Sequence, residues 1–257
     1  MFSNETSFWR DRFKASGIHL ALSLVIALLA ALLVFGIWYP YPYRELSGGR
    51  ELFLLVIAVD VILGPLITLT VFNRKKPRHE LRRDLVIVAV LQLAALGYGL
   101  WTVYVARPVH MVFEIDRFRV VHAIDVPLEL VSKTPVGLDA LPITGPTLLS
   151  VRPFTDSTES MEATMAALQG VTLSSRPDLW QSYALAKPEI QKVAKPVTAL
   201  QERFPNRANE IERILSKAGR TVQDTVYIPM VGRKSFWTVF LDPQTAEIVA
   251  YMPLDSF

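Results

Sequence analysis

Three apolar stretches, Ile18 to Trp38, Leu52 to Phe72 and Leu85 to Val105, constrain this chain more than any other feature. Each is about 20 residues, the length a helix needs to cross a hydrocarbon layer of about 30 Å. No run of that length recurs after Val105. The 257 residues therefore read as a short tail (1–17), a three-helix transmembrane region (18–105) and a soluble α+β domain (106–257). A cleaved signal peptide is the alternative for the first stretch. Its apolar run is longer than a usual signal core, no small-x-small site follows, and it ends in "GIWYPYPYR", so an uncleaved helix is expected. Trp38, Tyr39 and Tyr43 of that ending suit an interfacial aromatic belt.

The basic residues set the expected orientation. Arg10, Arg12 and Lys14 lie in the tail, and Arg74, Lys75, Lys76, Arg78, Arg82 and Arg83 in the loop "NRKKPRHELRRD". The other short loop balances Arg44 and Arg50 with Glu45 and Glu51. The positive-inside rule then puts the tail and the 73–84 loop in the cytoplasm. The 39–51 loop and everything after Val105 face the far side, the periplasm if the membrane is a bacterial inner membrane. From residue 106 onward 16 basic residues meet 17 acidic ones, so the basic excess belongs to the first 105 residues. A near-neutral soluble domain gives no basis for nucleic-acid binding. The basic loop reads as a topology signal, with anionic membrane lipid as a secondary contact. With no cysteine, disulfides, thiolate metal sites and cysteine nucleophiles are excluded.

Inside the second apolar stretch stands Asp60, followed by Gly64-Pro65. An acid at mid-membrane costs about 2.5–3.5 kcal/mol even on insertion scales, so it needs a reason. Counting from Leu52 puts Asp60 roughly 12 Å below the outer face, and Tyr98 of the third stretch reaches a similar depth. Three readings stay open: an internal clasp with Tyr98 or Gln92, contact with a partner, or proton chemistry. Pro65 removes a backbone donor and is expected to kink the helix, leaving a polar-lined groove. In the first stretch Ala27 and Ala31 form a small-xxx-small pair, but the segment otherwise reads as bland and lipid-facing.

In the soluble domain, "VHMVFEI" and "FRVVHAI" predict a hairpin turning at Asp116-Arg117. Residues 127–153, rich in proline, predict irregular extended structure. Helices are expected over 158–168 and 197–217, the latter stopping at Gly219, then a meander with turns at Gly232-Arg233 and Asp242-Pro243. No phosphate loop, zinc-helix motif, dinucleotide turn or nucleophile elbow is present. His110 and His122 would face each other in the hairpin, yet their spacing does not define a metal site, and neither metal nor cofactor is expected. Arg107-Pro108 reads as an interfacial anchor and helix stop.

"WYPYPY" (38–43), "SGGREL" (47–52), "VDVILGPLITLTVFN" (59–73), "RRDLVIVAVLQLAALGYG" (82–99) and "RPVHMVFEIDRFRVV" (107–121) together resemble the type IV pilin accessory proteins of the TfpX/TfpZ family. The resemblance is detailed over about residues 10–125 and loose beyond. It implies an inner-membrane protein of type IV pilus biogenesis, partnered by the pilin subunit and by other inner-membrane pilus machinery. A non-enzymatic accessory role is expected, and a membrane enzyme modifying pilin or a periplasmic sensing subunit of the pilus machine are the alternatives. It carries over no catalytic residues. Asp60, Gly64, Pro65, Gln92 and Tyr98 are the pilin-binding candidates because they lie in the matched segments, as do Gly97, Arg107 and Pro108.

Overall fold

The computed structural model describes residues 3–73 and 75–257. Arg74 of the basic loop lies outside the described residues, as do Met1, Phe2 and the side chains of residues 3–7. The chain divides into two compact units, one made of the residues up to Ile37 with Gly49–Val105, the other of Trp38–Gly48 with Ala106–Phe257.

Among the described residues three helices are long and apolar enough to cross a membrane: Phe8–Trp38, Gly49–Val71 and Arg78–Val105. The first long helix joins α1 (Ser3–Leu33) to a π turn over Val34–Trp38. After the single turn α2 (Tyr43–Leu46), the second joins α3 (Gly49–Ala58), a π turn over Val59–Leu63 and α4 (Gly64–Val71). The third is α5 (Arg78–Val105), which ends before Pro108 as expected. Proline at 65 has no N–H for the carbonyl one turn earlier, and the helix answers by widening into a π turn rather than stopping.

The second helix is central. It packs against both others, while the first and third scarcely meet. Gly99 permits the close approach on one side, since a Cβ there would lie 2.6 Å from Val56 Cγ1. Leu28, Leu29, Leu32, Leu55 and Leu91 remain exposed, as helices solvated by hydrocarbon require.

The second unit is built on an eight-stranded mixed sheet among the described residues. Its strands are β1 (Pro108–Glu114), β2 (Arg117–His122), β3 (Thr147–Val151), β4 (Trp180–Ser182), β5 (Lys195–Pro196), β6 (Val226–Val231), β7 (Phe236–Leu241) and β8 (Ile248–Met252). The order is β4-β3-β1-β2-β6-β7-β8, with β5 against β6. The β1–β3 and β2–β6 pairs are parallel and the rest antiparallel. Helices α6 (Ser157–Leu168), α7 (Lys187–Val193), α8 (Val197–Arg203) and α9 (Ala208–Lys217) complete the α+β fold. Alternation sends Ile228 and Met230 of β6 and Trp237 and Val239 of β7 into one core, and Tyr227 and Phe240 into another beneath α8 and α9.

Several local expectations are corrected. Glu114 pairs with Arg117, so the hairpin turns at Ile115-Asp116, with Ile115 at a φ of 56°. The proline-rich segment contains β3, whose "TLLSV" is stabilised by its non-local parallel neighbour β1. The helix expected over 197–217 is two, because Pro205 cannot continue α8. Gly232-Arg233 belongs to a four-residue loop, since Val231 pairs with Phe236. His110 lies opposite Val121, not His122, because the register shifts between Pro108 and His110.

The aromatic ending of the first long helix is part of this second unit. Trp38, Tyr39 and Tyr43 are buried, and Tyr43 and Leu46 join the core containing Met111, Phe118 and Trp237. The Tyr43 hydroxyl donates to Met111 Sδ at 3.6 Å, and the Leu46 carbonyl accepts from Lys234 N at 2.9 Å. Gly232 leaves room for Leu46, whose Cδ1 would lie 2.4 Å from a Cβ at that position. Tyr39 and Tyr43 thus serve as core in place of the expected interfacial belt. Arg107 is likewise buried, donating to the carbonyls of Leu141 and Pro142 at 3.1 Å each, and Pro108 opens the central strand β1. An arginine holding loop carbonyls in a protein interior is a brace, not a headgroup anchor.

Candidate functional site

Asp60 lies at the midpoint of the second long helix, eleven residues from Gly49 and eleven from Val71. That is deeper than the count from Leu52 suggested, because the helix begins three residues earlier. Its side chain is buried, and its Oδ1 has no hydrogen-bond partner among the described residues. Gln92 reaches it from α5, but the bond runs from Gln92 Nε2 to the Asp60 carbonyl at 3.4 Å and leaves the carboxylate out. Gly64 makes this reach possible, since a Cβ there would overlap Gln92 Nε2 at 1.8 Å. Gln92 thus satisfies a backbone acceptor at the π turn, and the acid keeps one oxygen uncommitted.

Tyr98 does not complete the clasp. It is 75% exposed and lines a separate apolar hollow with Leu55, Val56 and Val59. The reason is rotation. Val88, Leu96, Gly99 and Val103 are buried on α5, and Gln92 continues that stripe, so Tyr98 points away from it.

Opposite Gln92 the first long helix presents polar groups that its greasy composition conceals. Arg12, Ser16, His19 and Ser23 follow one another at intervals of four, three and four, which places them on one face. Arg12 donates to the carbonyls of Phe72 at 2.7 Å and Thr70 at 3.0 Å, capping the end of α4. Ser16 donates to the Pro65 carbonyl at 2.9 Å, and His19 Nδ1 and Thr68 Oγ1 lie 2.5 Å apart. Ser23 is buried farther along the same stripe. These bonds replace a hydrophobic driving force that does not exist between helices in lipid. Ala27 and Ala31, by contrast, are only half-buried. The signal for the seam was present as polar periodicity within an apolar helix.

Between the first and third helices, with Asp60 as its floor, runs a groove of about 140 Å³. His19 and Ser23 line one wall and Gln92 and Leu96 the other. Leu22 and Leu93 on its rim are 59% and 61% exposed. A helix laid along this apolar groove would reach the enclosed Oδ1 only with a polar side chain and a shift of the surrounding side chains. Among the described residues no cluster of His, Cys, Asp and Glu has the composition of a metal site. His110 instead contacts Thr147 Oγ1 at 2.6 Å and the Ala140 carbonyl at 3.0 Å.

Fold and site together define a class: a protein with three helices of membrane-crossing length, a polar seam among them, and an α+β unit that takes in the connection between the first two. Comparison with known proteins narrows it. Residues 7–48 match the family described as fimbrial assembly protein FimB. The fimbrial assembly proteins of Dichelobacter nodosus serogroups I and E1 are each 34% identical over 246 residues, covering 95% of this chain and of theirs. That of serogroups C1 and C2 is 42% identical over 116 residues, 45% of this chain and 88% of its own. The chain belongs to the fimbrial assembly protein family. No solved structure matches it.

Proposed function

We propose that this protein is a non-enzymatic, inner-membrane accessory protein of type IV pilus biogenesis, of the TfpX/TfpZ kind, which holds a pilin subunit by its membrane helix while the subunit awaits assembly. The role in fimbrial biogenesis comes from full-length relatives named as fimbrial assembly proteins. The observation that carries the binding site is Asp60: a mid-helix acid, buried, with Oδ1 unpartnered among the described residues, flooring a groove left where the first and third helices part. Gly64, Pro65 and Gln92 act indirectly by shaping the π turn. Tyr98 lines a different hollow, so its part in pilin binding would be as a second, outer contact.

The proposed topology places the N-terminus in the cytoplasm and residues 106–257 in the periplasm. Its support is the charge distribution together with the fold of the second unit. Trp38–Gly48 and Ala106–Phe257 share one core, as they can only if both lie on the same side of the membrane. Photocrosslinking tests the site in cells making the cognate pilin. A crosslinker at Leu93, on the groove rim, should yield a pilin adduct, whereas one at Leu91, exposed on another face of α5, should not. Absence of an adduct from Leu93, with the protein inserted and folded, would remove the groove as the site.

A further inference from the structure

The second unit contains a polar cavity unrelated to the groove. Its volume is about 420 Å³, and its walls come from β2, the turn after it, the segment following α6 and the loop after β6. Arg119, His122, Asp125, Thr172, Ser175 and Arg233 line it. His122 is 1% exposed, and its Nε2 is buried without a partner among the described residues. Its other ring nitrogen is committed: Nδ1 lies 3.2 Å from Asp125 Oδ2, and Asp125 Oδ1 in turn accepts from Arg233 Nη2 at 2.8 Å. Arg119, on the same strand as His122, donates through Nε to Glu114 Oε1 at 2.7 Å, and Glu114 Oε2 accepts from Ser174 N at 3.0 Å.

We propose that this cavity binds a phosphate-type oxyanion, held by His122, Arg119 and Arg233. The donor set selects that chemistry. Each arginine spends one nitrogen on a carboxylate that fixes its guanidinium plane, and a guanidinium offers five N–H donors in all. Asp125 is the single acid on the cavity wall, against two arginines and a histidine. Thr172 and Ser175 add hydroxyls, and a phosphate oxyanion supplies enough acceptor oxygens for this many donors. The volume leaves room for a small organic substituent on the phosphate.

Proton bookkeeping follows from the orientation of His122. The Asp125 carboxylate keeps a proton on Nδ1, so neutral His122 presents a lone pair at Nε2. Burial, reinforced by the charge of Arg233, holds His122 below its usual range despite the opposing pull of Asp125. In that direction the neutral form of His122 is favoured. To donate to a bound oxyanion, Nε2 must gain one proton, taken up from solvent. The charged groups facing it are Asp125, Arg233 and Arg119, with Glu114 behind Arg119, so the bound anion supplies the negative charge that imidazolium needs.

The test is calorimetric titration of the full chain in phosphatidylcholine nanodiscs, with inorganic phosphate and glycerol phosphate as probes. Titrations run near pH 6.5, in two buffers of different ionisation enthalpy. Saturable binding with a buffer-dependent heat is expected. Arg119→Gln, on the accessible wall, should weaken it about tenfold, the loss of one charge-assisted contact. His122→Gln should weaken it and reduce the buffer dependence. No saturable binding by the wild type, or unchanged affinity in a folded Arg119→Gln variant, would overturn the proposal. That variant decides the matter if His122→Gln fails to fold. Nanodiscs rich in phosphatidylglycerol identify the source: suppressed phosphate binding there means a lipid headgroup is the occupant, and unchanged binding means a soluble phosphate ester. The outcome is independent of whether the groove holds pilin.

Discussion

Replacing Asp60 by leucine separates a structural acid from one kept for a partner, because the two roles demand opposite changes in stability. Were Asp60 an internal clasp, Asp60→Leu would break it and lower stability. The geometry favours the other sign. The carboxylate Oδ1 is buried without a partner among the described residues, and Gln92 bonds only the backbone carbonyl. A mid-membrane aspartate costs about 2.5–3.5 kcal/mol on insertion scales, and leucine is favourable there. The adjoining groove of about 140 Å³ lets water or a headgroup relieve part of that cost, so a stabilisation of about 1–3 kcal/mol is expected. That amounts to roughly a fivefold to hundredfold change in the folded-to-unfolded ratio. The assay is reversible unfolding of the purified protein in mixed micelles, run beside pilin crosslinking from Leu93 and a count of surface pili. The expected result is a more stable protein that no longer captures pilin. Asp60→Asn, which retains an acceptor oxygen, should keep part of the capture. Two results would refute the reasoning: a less stable Asp60→Leu protein, or a more stable one with pilin capture and piliation intact.

Leu46→Ala should destabilise the α+β unit by about 2–5 kcal/mol, although Leu46 lies in the connection between two long helices, because it is fully buried against that unit's core. Protease resistance of residues 106–257 measures it, and an unchanged resistance would contradict the packing. His110 is held near pKa 4 by burial, below its usual 6.5, so its neutral form stabilises the fold above about pH 6.5. That contribution, about 3 kcal/mol at most, should fade as pH falls from about 6.5 towards 4. His110→Gln should flatten this part of a stability-versus-pH curve. Ile115→Gly should raise stability by about 1 kcal/mol, since a β-branched residue holds a φ of 56° at an exposed turn, and the melting temperature reports it.

Much of this architecture can be read from composition and periodicity. The three long helices, the α+β character of the remainder and the closing meander are local matters, decided by run length and by alternation over a few residues. Asp60 also stands out in the sequence alone, because an acid in so apolar a stretch has no local justification. Tertiary structure alone decided what surrounds it. Side-chain rotation about a helix axis is invisible in a count of depths, so Tyr98 at a matching depth turns away while Gln92 turns in. The seam of Arg12, Ser16, His19 and Ser23 becomes meaningful only when the second helix brings carbonyls and a hydroxyl to meet it. Likewise β3 is a strand because β1 lies beside it, His110 pairing with Thr147 across 37 positions, and nothing within "TLLSV" dictates a parallel partner. Tyr43 and Leu46 show the same limit most clearly. An aromatic segment after an apolar helix reads as interface, whereas here it completes a core whose other residues lie more than sixty positions away. Local pattern sets which elements form, but burial and partner choice depend on contacts distant in sequence, whose energy exists only once the chain has folded.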